Sequence, residues 1–426
     1  MKKNILRTTA LSLLALISLL FTSCFDPIYN SILNDVKPEK PTVNGDISSI
    51  ARYTVNGEEY LFLAANGGLR YKEVKDTTHG SWKTYSKLPF GTIHTDNNHE
   101  PYLGRSIIKV VSDNNYLYLA TVKYKGSYPE NPLIFAVKIT DFSKEPEIKE
   151  LKFPENKGPK LITLKEKDTP SFLGGFNIFS TNAVESNNRK AYLRVGDNRA
   201  VIDNSSSENK IPESYKTPIY YELNGTSDLQ TISTITTNAV HTEFDPDVNG
   251  YNSAVIFSNQ STPTFLHTPV SATAEINGKN FIYFAVGKKL YYVEGGNKPE
   301  LAVELKNDIS SIAPTQSSLI IGCGNRIGYA GGIQRVEFRD IDSSTGMGTS
   351  GIPKNEVSGF KNNAQIQIPS SYMVPIVFNA TPDKKESEST LYAAVTFAGS
   401  GINSNNRNEN KGLWSYYPNR GNWNRE

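Results

Sequence analysis

Two cysteines, five histidines and three methionines in 426 residues leave little room for chemistry that depends on them. Two thiols cannot build a disulfide framework or a four-cysteine zinc site, so neither holds the chain together. Charge of one sign is equally thin: 45 basic side chains face 43 acidic ones, for a formal +2, and no long basic run provides an electrostatic footprint for nucleic acid. After the first 24 residues there is no long apolar run and no helical periodicity sufficient for a buried helix. A Gly-x-Ser-x-Gly nucleophile elbow followed by a helix is absent. Gly322, Gly324 and Gly328 miss the dinucleotide-binding spacing. In place of these features stand 23 tyrosines, 19 phenylalanines, 31 glycines and 23 prolines, a composition suited to short half-buried strands separated by turns. At ~100–200 residues per domain the length admits two or three ordinary domains, or one large all-β domain.

The one long apolar stretch is at the start. Lys2, Lys3 and Arg7 precede Leu11 to Phe21, interrupted only by Ser12 and Ser18, which is the layout of a secretory signal and too short to span a bilayer comfortably. The stretch ends in Phe21-Thr22-Ser23-Cys24 and resembles the lipobox of bacterial lipoproteins, with Phe21 where that family usually has Leu. The resemblance implies removal of residues 1–23 and lipidation of Cys24, whose acyl chains add about 0.8 kcal/mol of membrane affinity per buried methylene. Phe25 after the cysteine, rather than Asp, favours the outer membrane. The competing reading is an ordinary cleaved signal peptide with an incidental cysteine. Residues 24–45, with Pro27, Pro38 and Pro41, read as a semi-extended tether. Because Lys2, Lys3 and Arg7 leave with the signal, the slight basicity belongs to the export segment.

From Asp46 to Glu426 a unit recurs: a polar turn, an apolar run ending in small residues, a second turn, then a tyrosine-rich run. It stands out in EEYLFLAANGGLRYKE from Glu58, KNFIYFAVGKKLYYVEG from Lys279 and SSLIIGCGNRIGYAGG from Ser317, and DISSIA occurs at both Asp46–Ala51 and Asp308–Ala313. Small antiparallel sheets that must bury both faces do so by radial packing, so the expected fold is an all-β propeller of about seven blades, with six as the alternative. Two β-sandwiches would not explain the recurrence of DISSIA. Gly67-Gly68-Leu69-Arg70-Tyr71 with Asp76, Gly80 and Trp82, and Gly412-Leu413-Trp414 with Tyr416, Asn419, Gly421 and Trp423, resemble the strand and Asp-box turn of sialidase-type (BNR) propellers. The resemblance implies a structural hairpin turn and a tryptophan packed between blades.

Candidate sites are few. Asp245, Asp247 and Asn249 with Gly250 open like a calcium loop, although Ile256 stands where an EF-hand needs Glu and a solvated turn uses the same residues. His94, Asp96 and His99, with Glu100, collect potential metal ligands without a zinc signature. Calcium is thus the one cofactor to consider, and otherwise none is expected. Tyr71, Trp82, Trp414, Tyr416 and Tyr417 are candidates for a ligand-binding mouth if they are not packing groups. Cys323, in an apolar strand, reads as an inert buried thiol, and its glycine neighbours as points of close backbone approach. The sialidase Phe-Arg-Ile-Pro segment is absent.

These readings converge on a monomeric, lipid-anchored propeller of the bacterial envelope. Its expected role is non-enzymatic, as a binding or scaffold module for an envelope protein or glycan, without nucleic acid. A diverged sialidase-like glycan hydrolase and an assembly component of an envelope complex are the alternatives.

Overall fold

A computed structural model describes the chain from Thr42 to Glu426 except residues 91–103, 181–188, 196–218, 233–270, 338–356, 360–371 and 398–410 and breaks of at most six residues elsewhere. Cys24 therefore lies outside the described residues, as do His94, Asp96, His99, Asp245, Asp247 and Asn249. The described body is all-β: one 3-10 turn, Glu386–Glu388, accompanies 26 strands.

The first sheet comprises β1 (Ile47–Val55), β2 (Glu58–Ala65), β3 (Gly68–Glu73) and β4 (Lys83–Thr84). The second comprises β5 (Arg105–Ser112), β6 (Leu117–Lys125), β7 (Tyr128–Lys138) and β8 (Glu147–Glu150). A two-strand hairpin, β9 (Leu161–Glu166) and β10 (Thr169–Gly174), precedes the third sheet of β11 (Phe176–Ser180), β12 (Ala191–Val195), β13 (Ile219–Leu223) and β14 (Thr231–Ile232). The fourth holds β15 (Ser271–Ile276), β16 (Lys279–Val286), β17 (Lys289–Glu294) and β18 (Glu300–Glu304). The fifth holds β19 (Ile309–Pro314), β20 (Ser318–Gly324), β21 (Gly331–Glu337) and β22 (Val357–Gly359), and the sixth β23 (Tyr372–Asn379), β24 (Leu391–Phe397), β25 (Gly412–Tyr417) and β26 (Asn422–Arg425).

Each four-stranded sheet is an antiparallel meander in sequence order, and neighbouring sheets meet chiefly through their first strands, β1 with β5, β5 with β11, β15 with β19, β19 with β23 and β23 with β1. This is a β-propeller with first strands innermost. The expectation of seven blades is corrected: the described residues form six four-stranded sheets, because the run at 161–174 pairs only with itself. The run around Ile256 lies outside the described residues.

The core lies between sheets, and each of these five junctions has its own apolar cluster. Strand alternation produces this arrangement. On β1, Ala51, Tyr53 and Val55 face the second sheet while Ile50 faces the sixth, so both faces are buried. Closure uses residues from the tether side of the expected boundary. Val43 is fully buried, its N–H donates to the Glu426 carbonyl (3.1 Å), and its own carbonyl accepts from Leu413 N–H (3.3 Å).

The DISSIA repeat marks a joint. In both copies the first strand bulges at the first serine, and the second serine's hydroxyl accepts a backbone N–H from the next inner strand, Ser49 from Val110 (2.6 Å) and Ser311 from Val377 (2.8 Å). The second sheet has the same bulge, with Lys109 in the serine's place; its ammonium donates to Asn177 Oδ1 on β11 (2.6 Å). The glycines of the fifth sheet allow close approach as expected, since a Cβ on Gly322 would sit 2.4 Å from Val374 O and one on Gly331 2.0 Å from Tyr372 O.

Candidate functional site

The two Asp-box-like turns both join the third and fourth strands of a sheet, the first over nine residues and the second over four. Gly80 and Gly421 both adopt positive φ, +73° and +64°, and Asp76 Oδ1 accepts the N–H of Thr78 (2.8 Å), holding the first turn. Trp82 packs between the first and sixth sheets and Trp423 between the fifth and sixth. The mouth aromatics suggested by the sequence are placed in packing as well. Trp82, Trp414 and Tyr417 are buried at the junctions, Tyr71 stacks on Phe142 at 4.2 Å, and Tyr416 is half-buried beside Trp423.

Tyr417 instead belongs to a buried polar network at the ring closure. The Glu426 carboxylate accepts from Ser415 Oγ (2.6 Å), Tyr417 OH and Gly80 N–H (2.9 Å), and lies 3.4 Å from the Lys72 ammonium. Lys72 also donates to Thr78 O and Tyr417 OH, both at 2.5 Å. His79 sits beside the cluster, its Nδ1 3.1 Å from Ser415 Oγ and 3.5 Å from Glu426 Oε1. Burial alone would raise the Glu426 pKa, but hydrogen bonds from His79, Ser415 and Tyr417 and the charge of Lys72 outweigh it and hold the carboxyl at about 2. Burial lowers the Lys72 pKa, against the pull of Glu426. Lys72 and Glu426 side chains are fully enclosed, so this cluster fastens sheets and presents nothing to a ligand.

A second, partly buried charged group lies where first strands turn into second strands. Arg52 on β1 grips Glu59 on β2 through Nε–Oε1 (2.7 Å) and a second parallel contact, and donates from Nη1 to the Ala380 carbonyl of the sixth sheet (3.2 Å). Ser112, ending β5, donates from its hydroxyl to the Arg52 carbonyl (2.5 Å). Arg189, just before β12, donates from Nη1 to that same carbonyl (2.5 Å) and to Ser112 Oγ (3.2 Å). Side chains from the second and third sheets thus meet at the backbone carbonyl of Arg52 on β1. Burial, then the nearby charge of Arg52, lowers the Arg189 pKa to about 10. Asp113, the adjoining acid, is occupied: Oδ1 accepts the N–H groups of Asn115 and Tyr116 (2.7 Å each) and Oδ2 accepts from Tyr118 OH (2.6 Å).

Three residues along β5 from Ser112, about 10 Å away at ~3.3 Å per residue, Lys109 points instead to Asn177 on the third sheet. Burial, then the neighbouring Arg194, pushes its ammonium down to about 8. None of Arg52, Arg189, Ser112 and Lys109 was singled out from sequence. The only legible signal is that Lys109 replaces a DISSIA serine in a bulge that appears in the folded chain. Cys323 is fully buried, and burial raises its thiol to about 12, in keeping with an inert core group. Among the described residues no cluster of three metal-ligating side chains forms.

No family model and no curated protein matches the chain. Among solved structures it is similar to the Penicillium chrysogenum alpha-L-arabinanase complexed with arabinobiose, with 10% identity, 88% of this chain and 96% of that one covered and a TM-score of 0.40. It is also similar to a subtype N10 neuraminidase-like protein of A/little yellow-shouldered bat/Guatemala, with 9% identity, 83% and 94% covered and a TM-score of 0.31. The third likeness is to BBS1N in complex with ARL6DN, with 12% identity, 84% and 77% covered and a TM-score of 0.32. What those proteins bind or act on is not transferred to this chain at such values.

Proposed function

We propose that this chain is a lipid-anchored propeller of the bacterial cell envelope, held at the outer membrane through Cys24, that acts as a non-enzymatic binding module for an envelope protein or glycan. The observation that carries the reading is the meeting of Ser112 and Arg189, from the second and third sheets, at the Arg52 carbonyl of the first. A rigid ring that gathers charged groups from separate blades presents a preorganised surface, and preorganisation reduces the entropy lost on binding. The leader, with Lys2, Lys3 and Arg7 ahead of its apolar run, and the lipobox-like Phe21–Cys24 support the anchor.

The experiment has two arms. Labelled fatty acid should enter the wild-type chain and not Cys24→Ala; incorporation that survives the substitution refutes the anchor. The soluble Cys24→Ala chain, immobilised and exposed to envelope extracts and a glycan array, should retain a partner that Arg52→Ala or Arg189→Ala releases. A chain that retains nothing and hydrolyses an array glycan overturns the binding role in favour of a hydrolase.

A further inference from the structure

At the junction of the second and third sheets a lysine stands where the two DISSIA strands carry serine. A serine hydroxyl can only hydrogen-bond across its junction, as Ser49 does to Val110 and Ser311 to Val377. An amine can do more, because it is a nucleophile once its proton is lost. The Lys109 ammonium on β5 donates to Asn177 Oδ1 on β11 over 2.6 Å. The amide carbon lies one C=O bond of ~1.23 Å beyond that oxygen, so nitrogen and carbon are at most ~3.8 Å apart, close to the ~3–3.5 Å of atoms held for attack. Arg194 on β12 is the direct cross-strand partner of Asn177, so the two side chains leave the sheet on the same face, and both are buried. Burial, then the Arg194 charge, pushes Lys109 to about 8, which leaves a share of the amine neutral near pH 7. A guanidinium on that face supplies N–H donors for negative charge that develops on Oδ1.

We propose that Lys109 and Asn177 are a self-modifying pair that forms an isopeptide bond between the second and third sheets. The neutral Lys109 amine adds to the Asn177 side-chain carbonyl carbon, which forms the Nζ–Cγ bond and puts negative charge on Oδ1 beside Arg194. The carbonyl then re-forms, the Cγ–Nδ2 bond breaks, and the nitrogen leaves as ammonia with the proton given up by the lysine. One amide replaces another, so no oxidant, reductant or second substrate is required. The product ties residues 109 and 177 together covalently and restricts the unfolded chain as a disulfide does.

The test is a peptide map of the full chain purified in detergent. Trypsin does not cleave after an acylated lysine, so the bond should yield a branched peptide joining residues 106–123 to residues 168–189, lighter than its two parts by one ammonia. Lys109→Arg keeps a positive donor but no nucleophilic amine and should lose the branched peptide. The wild type should also migrate faster than Lys109→Arg in denaturing electrophoresis, since the cross-link keeps the unfolded chain compact. In newly synthesised, pulse-labelled protein, Arg194→Gln should acquire the branch at least tenfold more slowly than the wild type. Wild-type peptides that end at Lys109, with Asn177 in an unbranched peptide, overturn the proposal, and that result needs no variant to fold. A branch that persists in Lys109→Arg overturns it as well, and equal rates in Arg194→Gln overturn the part given to the guanidinium.

Discussion

At the residue scale, the most consequential side chains are ionisable groups placed out of water. Glu426 is held at about 2, below the 4.5 of a free glutamate side chain, so its contribution to stability is present in full above about pH 4.5 and is lost as pH falls toward 2. The shift corresponds to at most about 3–4 kcal/mol. The thermal midpoint should fall steeply across that interval in the wild type and more shallowly in Glu426→Gln. Tyr417→Phe removes a donor to Glu426 and one of the acceptors of Lys72, and should cost about 1–3 kcal/mol in denaturant unfolding at pH 7. An unchanged midpoint in Tyr417→Phe would contradict the closure role of the network. Trp82 and Trp423 show why aromatic residues were ambiguous in the sequence. The same surplus serves a mouth or a junction, and only the direction of each strand's alternation decides, because one residue of shift sends a side chain to the opposite face.

At the element scale, the unit that repeats is a bulged inner strand with a hydrogen-bonding side chain aimed at the next sheet. Ser49 and Ser311 perform the same task 262 residues apart, which gives DISSIA a physical meaning: isoleucine and alanine fill the junction, and serine satisfies an amide on the neighbouring strand. Ser49→Ala should leave the Val110 N–H without this acceptor and cost about 1–3 kcal/mol, with Ser311→Ala similar. Ser49→Thr, which keeps the hydroxyl, should lose much less in the same urea titration. Equal losses in the alanine and threonine variants would assign the effect to packing instead. The repeat was legible because the letters recur. The Lys109 version was hidden, since a bulge is a property of pairing and a lysine at that position resembles a solvated charge until the inner strand closes over it.

At the scale of the whole molecule, a ring stands or falls on its closure. Val43 joins the sixth sheet between Leu413 and Glu426 while Lys72 and Trp82 of the first sheet meet Tyr417 and Tyr392 of the sixth, so the two ends of the described chain are fastened side by side. Val43→Asp would bury an unpaired carboxylate at that seam and should lower the thermal midpoint by more than any single inner-strand serine variant. A midpoint equal to the wild type would show that the ring closes without Val43.

The all-β class, the repeated strand unit, the Asp-box-like turns and the expectation of an export and lipidation signal are legible in the chain's letters alone. Each rests on local rules: period-two alternation, turn chemistry, and the spacing of charge, apolar run and cysteine. Only the folded chain shows how many complete sheets form among the described residues, which aromatics turn inward, and that Ser112 and Arg189 meet at the Arg52 carbonyl. Those outcomes depend on which strand of each sheet lies innermost and on how the ring closes. Such long-range pairings place residues 60 to 140 positions apart within hydrogen-bond distance, and no local pattern in the chain encodes that neighbourhood.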